Sequence, residues 1–333
     1  MSLFCYNLKM KNLINLNIPY SLEYVIKKLN KKIRKIKRFS SGIINETYLV
    51  TFFDQSEIVV RIYNKERKVK EVAREIAIME KLRKKGISIP EIYTVDNKKY
   101  LYFKDENKKN RIAVCMEFID GAELQPSDHS IIPVCATTQS KMHSILTKKN
   151  IPLKERQRGI LKIKKWMDKE VALAVNNKNI KKEIKNQILE IYKSILCDWR
   201  INQKSLLEIP FGIVHLDYDS SNILIKNGNI SGIIDFDDIT DSPLLIDLGF
   251  SLWWWLFFNF EKSNLRVGKE YVRSYSKNRK LTETEKDMLS FIIRVRNMIL
   301  LCLLFINNSP KIQNKKIKKA LILDTILINN NLI

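Results

Sequence analysis

Asp217, Asn222 and Asp235 stand five and 13 positions apart in GIVHLDYDSSNILIKNGNISGIIDFDD (212–238). An Asp, then an Asn, then an Asp on the far side of a hairpin can supply a general base and two oxygen ligands for Mg²⁺. Phosphoryl transfer from a nucleotide needs that set. Mg²⁺ is hard, takes octahedral oxygen ligands and is usually held by one or two protein carboxylates or amides plus phosphates. A hydroxyl nucleophile needs a carboxylate within hydrogen-bond reach to take its proton and fix its direction. Taken singly, an Asp in a turn only caps it. It is the ordered set, with apolar runs between, that points to chemistry.

The surrounding elements suit this use. FGIV (211–214) reads as a short strand entering a polar loop. NILI (222–225) is a second strand, Asn227-Gly228-Asn229 a hairpin turn, and ISGIID (230–235) the returning strand. The hairpin brings Asn222 towards Asp235, with Asp217 at the mouth of the loop. Upstream, IRKIKRFSSGIINETYLVTFF reads as a turn and then a strand with alternating apolar positions, and SEIVVRIY, KKYLYFKD and RIAVCMEFI as further strands. Val69, Val72, Ile76, Met79 and Leu82 recur at spacings of three and four, which predicts an amphipathic helix ended by Gly86.

Composition bounds the rest. The 333 residues suffice for one large two-lobed domain or two small ones. The formal charge of +23 opens nucleic acid, an anionic surface or an acidic substrate as partners. The basic residues are spread along helical stretches rather than gathered in one tract with interleaved aromatics, which disfavours nucleic acid. Five Cys lack metal-ligand spacing and read as free thiols in a reducing cytoplasm. Apolar runs at 248–260 and 291–306 are too short to span a bilayer, and the second contains Arg294 and Arg296. MSLFCYNLK reads as a leader before a start at Met10. Trp253, Trp254 and Trp255 face different sides of a helix. They read as packing, with an aromatic wall for an ammonium substrate as the alternative.

HLDYDSSNIL followed by GIIDFDD resembles the catalytic loop and metal-binding strand of the aminoglycoside phosphotransferase superfamily. That superfamily also holds choline, homoserine, hydroxylysine and methylthioribose kinases and protein-kinase-like stress and spore-coat proteins. The resemblance implies Asp217 as catalytic base and Asn222 and Asp235 as Mg²⁺ ligands. It implies His215 as an orienting residue and Asp247 as a buried brace of the loop. Leu216 departs from the small residue usual after that His, and Asp219-Ser220 from a His-Pro or Gln-Pro pair. In FSSGIINETYLV, Ser40, Ser41, Gly42 and Asn45 would hold phosphates. Arg61 in VVRIY takes the place of a phosphate-contacting Lys, with Glu75 as its partner. Backbone groups of Glu117, Phe118 and Ile119 would meet the adenine edge, with Met116 behind the base. Gly121 would let the chain turn into the large lobe. Asp219, Asp237 and Asp238 are candidates for the acceptor side, and His143 for a core or helix-end role.

The expected fold is therefore α+β, two-lobed and protein-kinase-like. A small antiparallel β lobe with one long helix (1–118, opening on a leader and first helix over 1–32) precedes a mainly helical lobe (119–333). A helical insert over about 144–205 carries 16 Lys+Arg against 6 Asp+Glu. That balance opposes a polycationic acceptor. The 12 residues from Asp235 to Asp247 leave no room for a long activation loop, which favours small acceptors. The implied activity is ATP- or GTP- and Mg²⁺-dependent O-phosphotransfer to a small hydroxyl compound, by a cytoplasmic monomer or homodimer. The alternatives are a stress or spore-coat protein, or a nucleotide-binding module without turnover.

Overall fold

The computed structural model describes residues 18–39, 45–259, 265–307 and 310–329. The leader, Ser40, Ser41 and Gly42 lie outside them. After α1 (Tyr20–Leu29) come β1 (Ile33–Arg38), β2 (Glu46–Phe52) and β3 (Glu57–Ile62). Residues of β2 and β3 alternate between buried and half-buried, the period of a strand with one face on a core. β1 (IRKIKR) lacks that alternation, which is why sequence reading saw only a turn there. In α2 (Val69–Lys84), Val72, Ile76, Met79 and Leu82 are buried at the helical spacings read above. Gly86, at φ 80°, follows its end. The chain continues through β4 (Ile92–Tyr93), β5 (Leu101–Lys104), β6 (Asn110–Glu117) and β7 (Ala122–Glu123). Then come α3 (Ile132–Leu146), α4 (Leu153–Asn176), α5 (Lys182–Glu208), β8 (Phe211–Val214), β9 (Ile223–Lys226), β10 (Asn229–Ile233) and β11 (Thr240–Pro243). Helices α6 (Leu244–Phe258), α7 (Leu265–Tyr275), α8 (Glu283–Asn307) and α9 (Pro310–Asn329) complete it.

The chain divides into two compact units, Met1–Leu124 with Ser221–Asp237, and Gln125–Ser220 with Asp238–Ile333. The first contains the antiparallel sheet β1-β2-β3-β6-β4, with β5 also on β6. Leu22 and Val25 of α1 share a core with Val50, Val60, Ile62 and Phe103. The hairpin β9–β10 belongs to this unit, whereas the sequence division put it with the helical part. The reason is local: β9 pairs with β7, and the Ile233 amide donates to the Ser88 carbonyl at 2.9 Å. Its turn is two residues long. Asn227 and Gly228 both take left-handed φ (52° and 71°), as a tight hairpin with native twist requires.

In the second unit α8 is the central helix and packs on α4, α5, α6 and α9. Thr282 and Glu285 form the capping box read from sequence at its start, with the Thr282 amide donating to Glu285 at 3.0 Å and the Glu285 amide to Thr282 at 3.1 Å. The Trp triplet is buried in α6, and Trp253 donates to Asn297 of α8 at 2.9 Å. β8 pairs with β11. Among the described residues, no helix is long and apolar enough to cross a membrane.

Helix α4 lies against β11 at Gly159, where a Cβ would fall 2.3 Å from the Asp241 carbonyl oxygen and 2.8 Å from Phe211. Helix propensity alone would make Gly159→Ala stabilising by about 1 kcal/mol. Overpacking against a backbone oxygen outweighs it, so urea unfolding of Gly159→Ala is expected to show a net loss of about 1–3 kcal/mol.

Candidate active site

The residues expected to carry the chemistry fall in both units, and each group is built by its own unit. In the second, β8 delivers the chain to His215, Leu216 and Asp217. Leu216 takes φ 68° although it is not glycine. A left-handed L-residue costs on the order of 1 kcal/mol and persists where its surroundings over-determine it. Here the Leu216 amide donates to Asp247 Oδ1 at 2.5 Å. Asp247 is 1% exposed. Its other oxygen meets His143 Nε2 at 2.9 Å and the Gln139 amide at 3.1 Å. Burial pushes its pKa up, but the His143 hydrogen bond, the neighbouring histidines and the Leu216 amide outweigh it and hold the carboxyl below its ordinary range. His143 also meets the Tyr275 hydroxyl, so its role is the core one expected.

Asp217 is buried, its amide 3.3 Å from His215 Nδ1. Arg296 of α8 donates to its Oδ1 at 3.3 Å. Sequence reading missed this partner. The available signal was an Arg inside an apolar helical run, which must find an anion or an open edge. The Asp219 amide donates to the Asp217 carbonyl at 3.0 Å, tightening the loop.

In the first unit, Arg61 of β3 donates from Nη2 to Asp235 at 2.9 Å and to Asp237 at 3.0 Å. Asp235 takes φ 62°, a second left-handed residue among the site candidates. The Ile234 amide donates to the Asn222 carbonyl at 2.9 Å, so the hairpin sets Asn222 beside the Asp235 segment. Burial opposes the Arg61 charge, and Asp235 and Asp237 more than offset it, raising the Arg61 pKa. Asp237 was a candidate for the acceptor side. It is instead bonded to Arg61 and to the side chain of Asn45, whose carbonyl in turn accepts from the Asn64 amide. Burial raises the Asp237 pKa although Arg61 is beside it.

Glu75 is not bonded to Arg61. Its carboxylate accepts from Arg67 at 3.1 Å and from the Tyr63 hydroxyl at 2.8 Å, and Arg67 reaches on to the Asp237 carbonyl at 2.9 Å. Glu75 lies three residues after Val72 and four before Met79, so its place on the buried face was legible; which Arg would meet it was not.

At the end of β6, Met116 is buried. The Glu117 amide is taken by the Glu91 carbonyl and its carboxylate by Arg83. The Ile119 amide has no hydrogen-bond partner among the described residues. Gly121 does not turn the chain through a left-handed conformation. Its need is space, since a Cβ there would fall 2.4 Å from Ser231 Oγ on β10.

Burial, reinforced by the charge of Asp237, pushes the Glu75 carboxyl up to about 7. A raised folded-state pKa gives stability that is full below the ordinary carboxyl range and lost as pH rises through about 7. The shift from 4.5 to about 7 corresponds to up to about 3 kcal/mol. Glu75→Gln removes this dependence. Unfolding free energies of wild type and Glu75→Gln at pH 5 and pH 8 should show the variant gaining on wild type by up to about 3 kcal/mol at the higher pH. A pH-independent difference would contradict the assignment.

Residues 35–280 match the family described as "Phosphotransferase enzyme family". A homoserine kinase of Bradyrhizobium diazoefficiens is 29% identical over 86 residues, 26% of this chain and 26% of that protein. The chain thus matches about a quarter of the length of the first curated relatives. The homoserine kinase of Agrobacterium fabrum is 22% identical over 262 residues, 78% of this chain and 76% of that one. Among solved structures, an amicoumacin kinase, hAmiN, in complex with AMP-PNP, Ca²⁺ and Ami, superposes with a TM-score of 0.67 at 14% identity, covering 94% of this chain and 95% of that one. The fold agrees over nearly the whole length, and the family match spans the sheet, both arginine–carboxylate groups of the first unit and the loop that carries Asp217: the chain belongs to the phosphotransferase enzyme family.

Proposed function

We propose that the chain transfers the γ-phosphoryl group of ATP or GTP to a hydroxyl of a small molecule, with Mg²⁺ as the metal and in the cytoplasm. The observation that carries this reading is the direct bond from Arg61 to Asp235. It joins a cation suited to phosphate oxygens to a carboxylate suited to a metal, in one half-buried cluster. Asn222 and Asp235 offer hard oxygen donors, the ligand class Mg²⁺ takes while keeping several waters. Bound there, the ion would draw charge from the β- and γ-phosphates.

The chain's own groups do the rest. Arg61 holds phosphate oxygens, and Asn45, with Ser40, Ser41 and Gly42, completes that contact. The Ile119 amide donates to the base, with Glu117 beside it and Met116 behind. Asp217 takes the proton of the acceptor hydroxyl as its oxygen bonds to the γ-phosphorus. The bond from that phosphorus to the bridging oxygen breaks, and the nucleoside diphosphate leaves with the electron pair. His215 and Asp247 keep Asp217 aimed.

Nucleotide binding is read by thermal shift with ATP–Mg²⁺, and turnover by ADP release over a panel of alcohols that includes homoserine. Asp217→Ala should keep nucleotide affinity and lose turnover by about 10²–10⁴. Full activity in that variant would rule out its role as base. Asp235→Ala should lose the metal-dependent part of nucleotide binding, measured by calorimetry with and without Mg²⁺. Equal affinities in the two titrations of wild type would remove the metal from the reading.

A further inference from the structure

Helix α8 buries two arginines two residues apart, and they are treated differently. Arg294 is matched on all sides: it bonds Asp324 at 2.9 Å, Ser194 at 3.0 Å and Asp198. Arg296 is as deeply buried, at 5% exposure. Its one hydrogen-bonding partner among the described residues is Asp217, at 3.3 Å. Its Nε is buried with no partner. Rings cover the guanidinium on Trp166 of α4 and Phe250 of α6, whose centroids lie 5.5 and 4.8 Å away. A guanidinium has five N–H donors in a fixed plane, and leaving them unmet out of water is costly. Stacked as it is, Arg296 can satisfy the remaining donors only in its own plane, next to the residue that receives the acceptor hydroxyl.

We propose that Arg296 binds a carboxylate of the phosphate acceptor, so that the chain acts on hydroxy acids rather than on polycationic alcohols. The inference rests on the kinase reading above. A planar carboxylate matches the guanidinium edge and adds charge-assisted hydrogen bonds. A dianionic phosphate at that position would repel the incoming γ-phosphate more strongly than a monoanion does. The excess of 16 basic over 6 acidic residues in 144–205 also favours an anionic compound and opposes a polycation.

The test uses matched acceptors with and without the carboxylate: 4-hydroxybutyrate against 1,4-butanediol, homoserine against 3-aminopropanol, and kanamycin as the polycation. ADP release gives kcat/KM for the full-length wild type, Arg296→Met and Arg296→Lys, with thermal melting as a check on folding. Wild type should prefer each carboxylate acceptor about tenfold or more. Arg296→Met should collapse that preference by about 10- to 100-fold, through KM, and Arg296→Lys should keep part of it. A merely structural role would lower all acceptors together and leave the ratio unmoved, which overturns the proposal. So does a wild type that favours the diol, the amino alcohol or kanamycin. If Arg296→Met fails to fold, the ratio in Arg296→Lys and the wild-type preference still decide. No ADP release with any alcohol overturns the kinase reading and this inference together, whereas release confined to acceptors lacking a carboxylate overturns the inference alone.

Discussion

A buried carboxylate holds the loop of Asp217 in place. Asp247 sits at the first turn of α6, and an unpaired charge there would cost several kcal/mol. Its oxygens are met by His143, Gln139 and the Leu216 amide. Those donors are themselves held: Tyr271 donates to Gln139 at 2.8 Å, and Ser251, which accepts from Gln139, donates to the Tyr218 carbonyl at 2.9 Å. The network thus grips both sides of Asp217, at Leu216 and at Tyr218. The left-handed Leu216 is affordable only because its amide has this one partner to satisfy. Relaxing it to an ordinary φ would turn that amide away and leave a buried carboxylate short of a donor.

The first unit balances charge differently. Two guanidinium groups, Arg61 and Arg67, face three carboxylates, those of Asp235, Asp237 and Glu75. Burial first, and then the surplus of negative charge, makes protons bind more tightly than usual to Glu75 and Asp237. On the proposed reading, that surplus suits a cation arriving with phosphates. Arg61 now supplies positive charge to Asp235, and a bound metal would free it to meet phosphate oxygens. In the second unit, hydrogen bonds from His143 and the Leu216 amide hold the buried Asp247 carboxyl below its ordinary range. The first unit keeps a cluster whose charge can change hands.

The parts legible in the sequence are those with a local signature. The hairpin was readable because Asn-Gly supplies two left-handed residues in succession. The face of α2 was readable from a period of three and four, and the capping box from Thr282 and Glu285. β1 was not readable, because lysines and arginines interrupt its alternation. Nor were the partners of the charged residues. Glu75 meets Arg67 and not Arg61; Asp237 meets Arg61 and Asn45; Asp217 meets Arg296, 79 positions on. Such pairings are set by how whole elements pack, and no short-range pattern encodes them.

Of the groups assigned to phosphate and metal, Arg61 sits in the paired strand β3, and Asn222 and Asp235 flank the β9–β10 hairpin, joined by the Ile234 amide's bond to the Asn222 carbonyl. The groups around Arg296 are side chains on α4, α6 and α8, held by ring stacking and helix packing. Helix faces accept side-chain replacement more readily than paired strands accept a change of register. Arg294 braces α8 against α5 and α9 through Asp198 and Asp324, a contact separate from the one Arg296 makes to Asp217. On the proposed reading, that separation would let the fold keep its chemistry while the residue beside Asp217 selects the charge of the acceptor.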